Sequence, residues 1–156
     1  MKTPAFLALV ILCFAAGAFG QGRPAWIAKL DETIKLKERS WKPGQRLVND
    51  QGASYTEGIT LANGGVRGLI QITSYSILEN PEETFEGHVI ARDNMNKKGK
   101  KVKLAGLGDE GYVWPGRSAT DFAEILFRKG STFVTVFLPG RATAERFARH
   151  VAAHIP

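Results

Sequence analysis

The six residues Phe133-Val134-Thr135-Val136-Phe137-Leu138 are apolar at odd and even positions alike, Thr135 excepted. A strand presents alternate residues to opposite faces, so this one asks for cover on both sides and belongs in the middle of a sheet. Phe122 to Phe127 precedes it across Arg128-Lys129-Gly130-Ser131, a loop of hairpin length that contains glycine. Pro139-Gly140 ends it. Ala144, Phe147, Ala148, Val151 and Ile155 then recur at offsets of three, four, seven and eleven, the apolar stripe of a helix that must lie on the sheet.

The same two periods organise the chain upstream. Tyr55, Ile59 and Leu61 alternate with polar or small residues, as do Val66, Ile70 and Ile72 against Arg67, Gln71 and Thr73. These are two half-buried strands of a hairpin that turns at Asn63-Gly64, residues able to take positive φ. Asn80-Pro81-Glu82-Glu83 reads as a helix start, with Asn80 capping backbone N–H groups and Pro81 at the first helical position. The helix runs from Pro81 to about Asn94, with Phe85, Val89 and Arg92 on one stripe. Short strands at Val102-Lys103-Leu104 and Gly111-Tyr112-Val113-Trp114 flank the turn-rich Gly106 to Glu110.

Before Tyr55 the pattern is mixed. Trp26, Leu30 and Ile34 have helical spacing, Lys42-Pro43-Gly44-Gln45 reads as a turn, and Asn49-Asp50-Gln51-Gly52 as a loop. The sum is an α+β fold: an antiparallel sheet of about 5–6 strands with two main helices, in the order β-β-α-β-β-β-β-α. Helices covering one face would leave the other for a partner or for the N-terminal segment.

Residues 1–20 read as a signal peptide, 21–52 as an N-terminal segment of short helix and loop, and 53–156 as the α+β domain. Lys2 is followed by the unbroken apolar run Ala5 to Ala16 and then by small residues. The small-x-small rule permits cleavage after Ala18 or between Gly20 and Gln21, and the second is preferred. The run falls short of the ~20 apolar residues of a spanning helix. Cleavage would leave about 136 residues, one ordinary domain, destined for the periplasm or the medium. The only cysteine is Cys13, inside the leader, so the mature chain has no disulfide and no thiol chemistry.

The 21 basic and 15 acidic residues give a formal charge of +6, which invites a nucleic-acid reading. Lys2 lies in the leader, and the run Lys97, Lys98, Lys100, Lys101 and Lys103 accounts for all the remaining excess. The basicity belongs to one segment, and no specific nucleic-acid binding is expected. That run can draw in phosphates, acidic lipid or an acidic protein, or it can complete a helix end: Glu79, Glu82, Glu83 and Glu86 stand at the opposite terminus, as the macrodipole favours.

Candidates for chemistry are few. His150 and His154 stand four apart on the last helix and could hold a transition metal, although metal sites use three or four ligands and no third is evident. His88 lies near Glu86 and Asp93 without a positioned nucleophile. Asp109-Glu110 are neighbours that point apart, and Tyr112, Trp114 and Trp41 could form a stacking platform or pack in the core. No nucleophile elbow, dinucleotide fingerprint, P-loop or His-Glu-x-x-His is present. No cofactor is implied.

Gly106-Leu107-Gly108-Asp109-Glu110-Gly111-Tyr112, then Leu126-Phe127-Arg128-Lys129-Gly130, the strand from Phe133 to Val136, and a helix with Ala144-Glu145-Arg146-Phe147-Ala148 together resemble a pattern in small exported bacterial domains of unknown function. The resemblance implies an antiparallel sheet covered by helices, as in the Mog1/PsbP-like group, and carries no catalytic residues. The leading expectation is an exported, non-catalytic binding or accessory module, with an envelope or secreted protein as partner. The alternatives are a metal-dependent or hydrolytic enzyme using His150 and His154, and attachment to an anionic surface through Lys97 to Lys103.

Overall fold

A computed structural model describes residues 22–95, 100–118 and 120–156. The chain forms α1 (Ala25–Lys37), β1 (Lys42–Asp50), β2 (Ser54–Asn63), β3 (Val66–Tyr75), α2 (Pro81–Met95), β4 (Val102–Lys103), β5 (Glu110–Trp114), β6 (Phe122–Lys129), β7 (Thr132–Pro139) and α3 (Arg141–His154). The strands make one sheet in the order β1-β2-β3-β7-β6-β5-β4, with every neighbouring pair antiparallel. The class is α+β as expected, with seven strands rather than 5–6 and three helices rather than two among the described residues.

The additional strand and helix both come from residues 21–52. Ile27, Leu30 and Ile34 are buried on α1 while Trp26 is only partly covered, so the buried stripe begins one residue later than the spacing of Trp26 suggests. Lys42 to Gln45 and Asn49-Asp50, read as turn and loop, belong instead to β1. β1 is an edge strand with a register shift between Pro43 and Arg46. Edges and bulges are where a sheet accepts proline and glycine, so the breakers there interrupt the register without ending the strand. The N-terminal segment is therefore part of the same sheet and core as residues 53–156.

β7 is central, as its two apolar faces demand. Its inward residues Val134, Val136 and Leu138 meet Ile70, Ile72, Ile125 and Phe127 from neighbouring strands, and α1 and α3 close over them. Phe147, Ala148 and Val151 are fully buried on α3, and the Phe147 ring stands edge-on to Trp41 at 5.9 Å. α2 lies on the outer face, where Phe85 and Val89 pack with Trp114, Leu126 and Phe133. Arg92 leaves that apolar stripe to pair with Glu124 at 3.1 Å.

The β2–β3 hairpin turns one residue later than expected. Asn63 pairs with Val66, and Gly64 and Gly65 take φ of 54° and 89°, the pair of positive angles that matches strand twist. At α2, the Asn80 carboxamide oxygen accepts the Glu83 backbone N–H at 3.2 Å and its amide donates to the Glu83 carboxylate at 2.8 Å. Asn80→Ala is expected to lower stability by about 1 kcal/mol, measured by urea denaturation with an unchanged denaturant slope. No helix among the described residues is long and apolar enough to cross a membrane.

Candidate functional site

A cleft of about 700 Å³ lies between α2 and the β4–β5 edge of the sheet. Its helix side carries Glu82, Glu83 and Glu86, its strand side carries Lys101, Lys103, Asp109, Glu110 and Tyr112, and Phe85, Val89 and Arg128 also line it. Helical spacing puts Glu82 and Glu86 one turn apart, and the need to bury Phe85 and Val89 aims them along the rim. Phe85 stacks on Tyr112 with centroids 6.4 Å apart and planes 20° from parallel.

Most charges in the cleft already have partners. The Tyr112 hydroxyl donates to Glu110 at 2.6 Å. That hydrogen bond first, and burial second, push the phenol up to about 12. Arg128 donates to Asp109 at 3.0 Å and approaches Glu82 at 3.6 Å, while its buried Nε finds no hydrogen-bond partner among the described residues. Lys101 pairs with Asp93 and stands 5.3 Å from the Tyr112 ring centroid, a cation–π distance. The Lys101 ammonium, then the Trp114 indole N–H at 2.8 Å, hold the Asp93 carboxyl below its usual range. Glu86 and Lys103 remain without an ion-pair partner among the described residues.

The glycine-rich turn and the Arg128-Lys129-Gly130 hairpin are bonded to each other. The Asp109 backbone N–H donates to the Arg128 carbonyl at 2.8 Å, and the Asp109 carboxylate accepts the Gly130 N–H at 2.8 Å. Gly108, at φ 65°, passes so close that a Cβ there would lie 2.3 Å from the Arg128 carbonyl oxygen. Asp109 and Glu110 thus serve different partners, as adjacent residues do. The chain matches no family model, no curated protein and no solved structure.

Of the lysine run, Lys97 and Lys98 lie outside the described residues, as does the preferred cut between Gly20 and Gln21. Lys100 is exposed, Lys101 is tied to Asp93, and Lys103 faces the cleft. His150 and His154 are drawn to separate partners. The His150 Nε2–H donates to Glu38 at 3.0 Å. His154 donates from Nδ1 to the His150 carbonyl at 2.7 Å, which leaves Nε2, 3.0 Å from the Thr33 hydroxyl, to accept in the neutral ring. A metal on this pair would displace bonds that join α3 to α1. Among the described residues no three His, Cys, Asp or Glu side chains gather so as to hold a metal ion.

His88 is exposed, its ring edge-on to Phe133 at 5.6 Å. Tyr112 and Trp114 share the outer face, but Trp41 lies in the core on the other side, so the three do not form one platform.

A buried charge cluster joins α1 to β1 and β2. Glu57 on β2 is fully buried and accepts from Arg23 at 3.0 and 3.1 Å, from Tyr55 at 2.6 Å and from Arg46. Asp31 bridges the two guanidiniums. Burial alone would raise the Glu57 carboxyl, but the hydrogen bonds from Arg23, Tyr55 and Arg46 together bring it below its usual range. Burial and the bond to Glu57 push the Tyr55 phenol up to about 12. With both carboxylate oxygens of Glu57 engaged, the cluster ties α1 and Arg23 before it to β1 and β2. Its one advance signal is that Glu57 shares the parity of Tyr55, Ile59 and Leu61.

Proposed function

We propose that the chain is an exported, non-catalytic binding module that takes its ligand in the cleft between α2 and β4–β5. The observation that carries this reading is the pairing pattern in the cleft. Asp109, Glu110 and Lys101 are occupied within the protein and Glu83 is held by Asn80, which leaves among the described residues a carboxylate on the helix wall, Glu86, and an ammonium on the strand wall, Lys103, over the Phe85–Tyr112 pair. A ligand bearing one cationic and one anionic group beside an apolar stem, such as a short segment of an envelope or secreted protein, complements that arrangement. Ligand clefts commonly have volumes of ~300–1,000 Å³. Export is supported by the leader-like residues 1–20.

Isothermal titration with short peptides containing lysine and glutamate tests the reading. Binding is expected to weaken at least about tenfold in Glu86→Lys and in Lys103→Glu, each the loss of a charge-assisted contact, and to weaken with salt. Peptide binding indifferent to both substitutions would remove the cleft from consideration. Turnover in a broad hydrolase screen, abolished by one substitution, would replace the binding module with an enzyme.

A further inference from the structure

The outer face of the sheet is only half covered. α2 packs over Phe133, Leu126 and Trp114, but Phe137 on the same face of β7 is 41% exposed, although its strand is apolar on both sides. Next to it Phe122 is 38% exposed, and the two rings stack with centroids 4.6 Å apart and planes 16° from parallel. Leu69 pairs with Phe137 across β3–β7. A Cβ at Gly58 would lie 3.7 Å from Leu69 and 3.8 Å from Leu47, so the two leucines border the bare backbone of β2 at that glycine. The result is one apolar diagonal, Leu47–Leu69–Phe137–Phe122, crossing β1 to β6.

Of the positions flanking that diagonal on the same face, Asn49, Thr56, Thr60, Gln71, Thr73 and Thr135 are uncharged. Arg67 stands next to Leu69 along β3, Glu124, held by Arg92, pairs across from Phe137, and Lys42 stands at the border. In a chain of which 23% is charged, a solvated sheet face would ordinarily carry lysine or glutamate.

We propose that this face is a homodimer interface, on which a second copy lays the same surface about a twofold axis. The charge pattern favours a second copy. The diagonal itself carries no charge, so two copies laid on it about a twofold axis bring no like charges into opposition along it. The dimensions agree. Four strands ~4.8 Å apart and about eight residues long at ~3.4 Å each cover roughly 500 Å² in plan; side-chain relief brings the accessible area toward the ~800 Å² per partner of stable complexes. α2, a helix of ~10–12 Å diameter, forms a ledge about as deep as the ~10 Å between stacked sheets. Each copy's open half can therefore seat the other's without a gap, with the two α2 helices at opposite ends.

Analytical ultracentrifugation of residues 21–156 tests the interface. The parent is expected to sediment with the mass of two chains and to stay dimeric in high salt. Phe137→Glu and Leu47→Glu, both at exposed positions, are expected to give the mass of one chain with unchanged circular dichroism. Phe137 lies three strands from the β1 edge, so an edge-to-edge dimer would survive Phe137→Glu. That survival, or a parent that is monomeric at high concentration, overturns the proposal and leaves the face to an unlike partner.

Discussion

Phe147→Ala is expected to destabilise the protein by about 3–5 kcal/mol, because the substitution removes a buried ring and leaves a cavity that the close-packed surroundings fill only in part. The residue is fully buried, between the inward side chains of β7 and the edge-on ring of Trp41. That loss is a large share of the ~5–15 kcal/mol that typically separates a folded domain from its unfolded chain. The melting temperature should fall on the order of 10–20 °C. His150→Ala, on the flank of the same helix, gives up one hydrogen bond to Glu38, which keeps its bidentate pairing with Arg146; a loss of about 1 kcal/mol is expected. Equal melting temperatures for the parent and Phe147→Ala would mean that α3 does not pack on the sheet.

Glu57→Ala should be comparably severe, at about 3–5 kcal/mol, for the opposite chemical reason. Removing the carboxylate leaves the buried Tyr55 hydroxyl and parts of two guanidiniums without an acceptor, and a broken buried ion pair costs more than an absent one. Replacing Tyr55 and Glu57 together by apolar residues of similar volume should recover part of the loss. The acid limb of stability carries the same signature. In the folded chain Glu57 titrates below its ordinary value of 4.5, so its contribution is complete above that pH and disappears as pH falls through the depressed folded value. Glu38, lowered by Arg146 and His150 against the opposing effect of burial, adds to the trend. Melting curves of the parent should therefore drop below pH ~4.5, and the gap between parent and Glu57→Gln should narrow. A gap that stays constant to pH 2 would contradict the assigned role.

The elements legible in the sequence are those whose burial follows a simple period. α2 starts at Pro81 as its cap requires, β6 and β7 pair around Gly130-Ser131, and every apolar residue assigned to the stripe of α3 is buried. β1 was illegible because an edge strand, exposed along most of its length, has no core side to impose alternation, and its bulge tolerates the Pro43-Gly44 that reads as a turn. Leu107 escaped notice because it sits among glycines, yet it is 2% exposed and plugs the core. Charge placement was legible only as composition. The helix-end acids and the lysine run are visible in sequence, but not that Lys101 would be held by Asp93, nor that Glu86 and Lys103 would be left over. The histidine pair was visible as a spacing; its partners Glu38 and Thr33 come from over a hundred residues away.

The order of strands bears on when this chain can fold. β3 does not close against the strand that follows it but against β7, so that Ser74 bonds Thr132 across 58 residues of chain, and the intervening α2, β4, β5 and β6 must be threaded out and back before the central pair forms. α1, near the start of the described chain, finishes its packing only against α3, at the very end. Contacts so distant in sequence make for slow folding. The β2–β3 hairpin can form early, with Ile70 beside Ile59, but the β7 neighbours of Ile70 and Ile72, Val136 and Val134, lie far downstream in the chain. The architecture thus delays commitment: the sheet closes across its middle only once the segments on both sides of α2 are present.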